Sequence, residues 1–460
     1  MKAKPVVGAA ALEADAPVNR AYVYGIAATA AISGLLFGYD TAIINGALVF
    51  LRQQFRLSDF QTEIAAGSLL IGCIAGASAA GSLSDRYGRK RNMLVAAILF
   101  CISSLGTAFP RTLVEFTVAR FIAGTAIGVA SVLAPLYIAE VSPAAIRGRL
   151  VTLNQMAIVT GILLSYFVSW LLSGLGPGSW RWMFASAGIP SGILFALLLL
   201  IPESPRWLLK RNRDREAMVT LRRINGEIAA SREAACISQS LATESGSFRE
   251  LLAPHLRRPL VIAILLAVFS QITGINTVIY YGAILFREHG GQGTASSAIG
   301  ANVIIGAVNF LCTIVAVMFI DRAGRKPLLL VGSAGMAVSL GALAFAFRMT
   351  PTPASLILVL VLCYVACFAV SLGPGSWLYI SELFPTAVRG RAMSIATLCL
   401  WMACLAVTLS FLTLVRYLGA SGAFGLYAGL CITTFVFVWR FTPETKARTL
   451  EQIQEFWRRS

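Results

Sequence analysis

Apolar residues in this chain come in long runs parted by short polar breaks. Each run reaches the length of about 20 residues that a helix needs to cross a bilayer. Twelve such runs begin near Ala21, Phe60, Asn92, Thr112, Ile146, Trp180, Pro259, Ser297, Pro327, Ser355, Val388 and Ala420. The pattern predicts an all-α membrane protein of twelve spans. The breaks at Arg86–Arg91 and Arg322–Pro327 are so short that the helices flanking them must run antiparallel. One long polar insertion, rich in arginine and helix formers, divides the chain in two. The expected organisation is a tail (1–20), a six-helix bundle (21–202), a linker of short helices (203–258), a second bundle (259–441) and a closing tail (442–460). Glu13 and Asp15 interrupt the apolar run of the first tail, which therefore reads as a disordered lead-in and not as a signal peptide.

Composition agrees with the span pattern: 57% of residues are hydrophobic, 13% are charged, and the mean hydropathy is +0.76. Charge then adds orientation. Of 38 Lys and Arg, only Arg52, Arg56, Arg111, Arg181, Arg287, Arg348 and Arg416 fall on one set of alternate loops, and Arg120 lies within a span. All the others occupy the tails and loops of the opposite set, which the positive-inside rule assigns to the cytoplasm together with both termini. The net charge of +17 is thus a topology signal and gives no reason to expect nucleic acid. Two histidines and nine cysteines without CxxC spacing offer no metal site, and the cysteines read as small packing residues. There is no nucleophile–histidine arrangement and no phosphate-binding glycine loop, so neither an enzyme nor a cofactor is expected. The absence of an Asn-X-Ser/Thr sequon fits a bacterial origin.

The chemistry concentrates in SQITGINTVIYYG, Ser270 to Gly282, inside the seventh span. Uncharged polar groups in hydrocarbon are costly unless they meet a partner or a wet cavity. Gln271, Asn276 and Tyr280 can share one broad helix face, suited to a ligand rich in hydroxyls; the alternative is that they bind neighbouring helices. FGYDTAIINGA (Phe37–Ala47) echoes TGINTVIYYGA (Thr273–Ala283) 236 positions earlier, with Asp40 opposite Asn276. A period this long in so apolar a chain indicates two homologous membrane halves. Asp40 and Arg120 are opposite charges available to each other within the first half. They form either a functional pair or an ion pair that only fixes packing. In the fifth span, Asn154 and Gln155 supply polar groups. In the tenth, GPGSW should break or kink the helix just before Trp377, whose indole suits stacking on a sugar ring.

Charged motifs recur as well. GSLSDRYGRKR (81–91) is matched by FIDRAGRKP (319–327), with Gly88 and Gly324 placed for tight turns. Glu140, Pro143, Arg147 and Arg149 return as Glu382, Pro385, Arg389 and Arg391, and PESPRW (202–207) as PETKAR (443–448). Exposed ion pairs contribute little singly, so clusters at matched places on one membrane side suggest a latch that breaks and reforms. Its expected members are Asp85, Arg89, Glu140, Arg147 and Glu203 in one half, facing Asp321, Arg325, Glu382, Arg389 and Glu444 in the other.

The paired DR-GRK loops resemble the major facilitator superfamily. With PESPRW, QITGIN, the two E…RGR clusters, GPGSW and PETK, the chain from Gly34 to about Leu450 resembles its sugar porter family. GLLFGYDTAI, with its aspartate, resembles the bacterial and plant proton-coupled symporters. The resemblance implies two pseudo-symmetric six-helix bundles around a site reached alternately from each side. It implies a sugar site of Gln155, Gln271, Asn276, Asn309 and Trp377 with Phe37 at its wall, an outer gate of Tyr280 and Tyr281, and a proton-coupling pair of Asp40 and Arg120. Two positions depart from the family: Ser270 replaces the first of two adjacent glutamines, and Leu400 replaces a polar residue before Trp401. The expected function is symport of a proton with a hexose or pentose across the cell membrane, the inner membrane in a Gram-negative cell, by a monomer whose partners are sugar, proton and lipid bilayer. A facilitative transporter with a structural Asp40 is the alternative. A transporter-like sugar sensor is a further one, set back by the short tail after Phe441.

Overall fold

The computed structural model describes residues 19–143, 146–243, 251, 253–289, 294–349, 353–384 and 386–446. It is helical throughout, with no strand among the described residues. The first half comprises α1 (Arg20–Gln54), α2 (Asp59–Tyr87), α3 (Arg89–Ala108), α4 (Leu113–Val141), α5 (Arg147–Leu172) and a sixth span made of α6 (Ser179–Ser186) and α7 (Gly188–Leu200). Three short helices follow: α8 (Pro205–Lys210), α9 (Asp214–Asn225) and α10 (Glu227–Thr243). The second half opens with a seventh span in two pieces, α11 (Pro254–Ile272) and α12 (Ile275–His289), then α13 (Ala295–Ala323) and α14 (Arg325–Ala346). A tenth span, again in two pieces, is α15 (Ala354–Val370) and α16 (Leu372–Glu382), and the chain closes with α17 (Thr386–Phe441).

Eleven stretches are long and apolar enough to span a membrane. The last, α17, has 56 residues, about 84 Å at 1.5 Å per residue, far beyond a hydrocarbon core about 30 Å thick. It is interrupted at Gly419, whose φ of 70° and ψ of 166° lie outside the helical region. It therefore supplies two spans, one residue from the start expected at Ala420, and the count is twelve. Local chemistry fixes the other ends. Ser58 and Gln61 form a capping box on α2, Thr112 caps α4, and Thr294 caps α13. Gly88 and Gly324, with φ of 97° and 93°, make one-residue turns between antiparallel spans, as the two GRK motifs predicted.

Two breaks fall elsewhere than the sequence suggested. The seventh span, expected to be continuous, is broken at Thr273–Gly274, where Gly274 takes φ 93°. The tenth breaks at Ser371 (φ −127°, ψ −91°), two residues ahead of the Gly373-Pro374-Gly375 run, which is itself helical. A proline is tolerated in the first turn of a helix, where its missing N–H is not needed. GPG therefore opens α16 and leaves the break to the residue before it.

The halves repeat one packing scheme. α1 lies on α5 as α11 lies on α17, and α2 lies on α4 as α13 lies on α15. The halves meet through α5 with α13, α2 with α17, and α1 with α12. Glycines let the first-half helices close up: a Cβ on Gly124 would strike the main-chain oxygen of Leu69, and one on Gly72 that of Phe121. Polar burial is uneven along the bundle. On α1 every residue from Gly38 to Leu51 is buried, whereas residues 151–158 of α5, nearer the end that carries Arg89 and Arg325, are all partly exposed. The bundle is thus closed at the far end and open towards the basic end.

Gly124→Val should cost about 1–3 kcal/mol of stability through overpacking and lower Tm in a detergent thermal-unfolding assay. Gly192→Ala, whose added Cβ meets open space, should leave Tm unchanged.

Candidate functional site

The break at Gly274 brings together residues that a straight helix would hold apart. On a continuous helix Gln271 and Asn276 sit about 140° apart, since each residue turns about 100°, so their shared face is a product of the break. Asn276 Nδ2 donates to Gln271 Oε1 at 2.5 Å and to Cys404 Sγ on α17 at 3.1 Å. Gln271 Nε2 donates to Ser270 Oγ at 3.0 Å, and Ser270 in turn binds the Ala267 carbonyl. Ser270 is therefore spent on its own helix. Tyr364 on α15 donates to the buried Thr273 carbonyl at 3.0 Å, satisfying one main-chain group that the break releases.

The other expected contacts lie on α1, α5, α13 and α16. Phe37 on α1 packs on Trp401 with ring centroids 5.4 Å apart. Gln155, Asn309, Trp377, Gln271 and Phe37 are all partly exposed, and Asn276 is buried. Trp401 Nε1 and Tyr427 Oη are buried without a protein hydrogen bond. Trp401 gave a weak sequence signal through the unusual leucine before it, and Tyr427 gave none, lying as one aromatic among many in the last span.

Asp40 is 4% exposed and Arg120 is fully buried. The guanidinium reaches residue 40 by its main chain: Nη1 donates to the Asp40 carbonyl oxygen at 3.0 Å, and the group lies 5.5 Å from the Phe184 ring centre. Nε and Nη2 of Arg120 have no protein partner. The two residues predicted to pair are neighbours, but the contact runs to the carbonyl instead of the carboxylate.

Tyr280 and Tyr281 are both fully buried towards the closed end. Tyr281 donates to the Thr408 carbonyl at 2.8 Å and stacks on Phe411 at 5.4 Å. At the same end, contacts that the sequence reading missed join the halves. Asn45 binds α12 through main-chain groups, Tyr166 donates to the Ile279 carbonyl at 3.2 Å, and Ser173 to Ser296 Oγ at 3.0 Å. Buried Glu63 on α2 accepts from the Thr413 N–H and hydroxyl on α17, each at 2.8 Å. Glu63 lies near the start of a span and carries no motif, so only its isolation as a carboxylate there could have drawn notice.

The charged residues at the open end were expected to hold the halves together in the state in which this end is closed. In this structure they pair within each half, and the two halves do so alike. Arg89 grips Glu140 through Nε and Nη2, both at 3.0 Å, and Arg325 grips Glu382 at 3.1 and 2.8 Å. Glu203 accepts from the N–H groups of Arg89 and Lys90 at the start of α3, and Glu444 from those of Arg325 and Lys326 at the start of α14. These carboxylates thus cap helix N-termini, where unpaired N–H groups favour negative charge. Arg147 and Arg389 donate to the carbonyls of Ser142 and Phe384. Asp85 binds Lys210 at 3.0 Å and Arg89 at 3.4 Å. The side chain of Asp321 lies outside the described residues.

The chain is similar to known proteins over nearly its whole length. Residues 26–457 match the family model described as sugar (and other) transporter. The chain is 40% identical to the arabinose-proton symporter of Bacillus subtilis over 97% of its own length and 98% of that protein's. It is 37% identical to the D-xylose-proton symporter of Escherichia coli K12, covering 95% and 96% of the two chains. Among solved structures it resembles the inward-open conformation of the xylose transporter XylE from E. coli, with a TM-score of 0.82 and 35% identity, over 95% of this chain and all of that one.

Glu63→Ala should strand the N–H of Thr413 and cost about 1–3 kcal/mol, the range for an unsatisfied buried group. Glu63→Gln keeps an acceptor and should cost less. Thermal unfolding of the two purified variants measures the difference.

Proposed function

This chain belongs to the sugar (and other) transporter family, and from that membership and the geometry above we propose that it carries a monosaccharide, a hexose or pentose, together with a proton across the cell membrane. The observation that carries the reading is Asp40. A carboxyl enclosed at this depth is satisfied by a cation or by a proton. Because Arg120 holds the main chain of residue 40, its remaining donors are free to meet the carboxylate or leave it as the helices move. Asp40 is the proton carrier and Arg120 its modulator. Relatives that are proton symporters for arabinose and xylose support the proton-coupled reading.

Gln271, Asn276, Gln155 and Asn309 bind the sugar's hydroxyls. Trp377 stacks on its ring and Phe37 walls the site. Amides suit the task because they donate and accept at once. The mutual bond of Gln271 and Asn276 satisfies them until sugar takes its place. Bundles 21–202 and 259–441 rock about this site, joined by the linker 203–258, and the protein works as a monomer with both termini in the cytoplasm. The basic end is then the inner one, and the conformation is closed outside and open inside. Tyr280 and Tyr281 form the outer gate. The latch residues, paired here within each half, exchange partners across the halves when the inner end closes, with Asp85, Arg89, Glu140, Arg147 and Glu203 meeting Asp321, Arg325, Glu382, Arg389 and Glu444.

Asp40→Asn should abolish sugar accumulation driven by a pH gradient in proteoliposomes and spare sugar binding and sugar-for-sugar exchange. Gradient-driven accumulation by that variant would refute the carrier role, and a wild type indifferent to the gradient would indicate a facilitative transporter. Gln271→Ala and Asn276→Ala should each weaken sugar binding by about 1–3 kcal/mol, as a hydroxyl loses its partner. Calorimetric titration of purified protein with a panel of hexoses and pentoses reads the loss, and unaltered affinities would place the site elsewhere.

A further inference from the structure

The hydrogen bonds of the Asn45 side chain run to the opposite half, its two N–H groups shared among three acceptors. Nδ2 donates to the carbonyls of Val278 at 3.1 Å and Ile279 at 2.8 Å and to Asn302 Oδ1 at 3.2 Å, while Oδ1 accepts from the Ala283 N–H at 2.9 Å. Ile279 and Ala283 are four apart, and their carbonyl and N–H are the groups that an uninterrupted helix pairs with each other. The amide thus bridges one rung of the α12 ladder from outside. Tyr166 adds a second donor to the Ile279 carbonyl. Space for this comes from Gly282, where a Cβ would strike Asn302 Oδ1 and crowd Asn45 Nδ2 at 3.2 Å. Asn45 and Asn302 are both fully buried.

The two helices joined in this way carry the two substrates' residues. α1 bears Asp40, five positions before Asn45. α12 bears Asn276, Tyr280 and Tyr281, all within five positions of Val278. We propose that Asn45 is a positioning residue of the transport cycle, which closes the outer end by gripping main-chain groups of α12 and so ties the movement of the gate helix to that of the helix bearing Asp40. Opening the outer end breaks all its bonds at once, since they converge on one amide. Closure is accordingly cooperative, because α1 and α12 separate as a unit or not at all. This inference rests on the symport reading for its functional meaning, but its structural core can be tested without sugar.

The test uses full-length protein in proteoliposomes with Ser296→Cys at the closed end, labelled by a charged, membrane-impermeant maleimide. The protein without that cysteine serves as the blank for the nine native thiols. Asn45→Ala should speed labelling about tenfold, as expected when about 1.4 kcal/mol of closure is lost. Gly282→Ala, which displaces the same amides from the other side, should speed it in the same direction. Asn45→Asp keeps the size and the acceptor but as a carboxylate cannot donate, and it should behave like Asn45→Ala. In coupled assays the Asn45 variants should bind sugar yet accumulate less of it per proton entering. Labelling rates equal to the parent in folded, monodisperse Asn45→Ala and Asn45→Asp would overturn the proposal, as would faster labelling with undiminished coupling. Lack of sugar uptake by the wild type would instead sink the symport reading and leave the labelling result standing.

Discussion

A main-chain N–H or C=O that loses its helical partner inside a bilayer must find another within the protein, because no water is there to replace it. That constraint explains why the described chain is helical almost throughout, and it also marks where function lies. Side chains reach main-chain groups within the spans at several places. Tyr364 takes the Thr273 carbonyl beside the seventh-span break, and Tyr281 takes the Thr408 carbonyl. Glu63 receives the Thr413 N–H, and Asn45 bridges Ile279 and Ala283. Main-chain groups in the spans thus serve as points at which one helix holds another, within a half at Thr273 and Thr408 and between the halves at Thr413, Ile279 and Ala283.

The same logic separates the two ends of the molecule. At the closed end the described contacts between halves are uncharged or main-chain directed, apart from the carboxylate of Glu63 and the guanidinium of Arg287, which faces Gln53. At the open end each half is self-sufficient: a bidentate arginine–glutamate pair, a carboxylate on a helix N-terminus and an arginine on a carbonyl recur in both. Pairs enclosed by protein hold each half rigid while it moves as a body, whereas fully exposed ones would be screened and weak. A rocking transporter needs rigid halves and a changeable seam, and the charges are spent on the first requirement in this conformation.

Much of this was legible in the chain. The spans follow from apolar runs bounded by charge, and the turns at Gly88 and Gly324 from a glycine set between two amphipathic ends. The matched clusters around Glu140 and Glu382 follow from repetition at an offset of 242 positions. Resemblance to the sugar porters rested on motifs scattered over most of the chain, and the family match and the relatives agree with it. Partner choice was not legible. Repetition says that Arg89 and Arg325 do the same thing, yet it cannot say whether each reaches its own half or the other. That depends on distances between helices far apart in sequence.

The sequence by itself determined the class of protein, the number of spans, the pseudo-repeat and the short roll of polar residues available in the membrane, because hydropathy and residue identity are local properties. Tertiary structure alone decided how those residues are used. Gln271 and Asn276 meet only because Gly274 adopts a left-handed φ, and a glycine in a sequence does not announce which of its conformations it will take. Arg120 binds the carbonyl of Asp40 and not its carboxylate, a choice made by the crossing of α1 and α4. Asn45, one amide in an apolar run, became the meeting point of the halves because α12 packs against it with a main-chain carbonyl and N–H turned towards the amide. Contacts to main chain leave no pattern in side-chain identity, and here they are among the contacts that join the two halves.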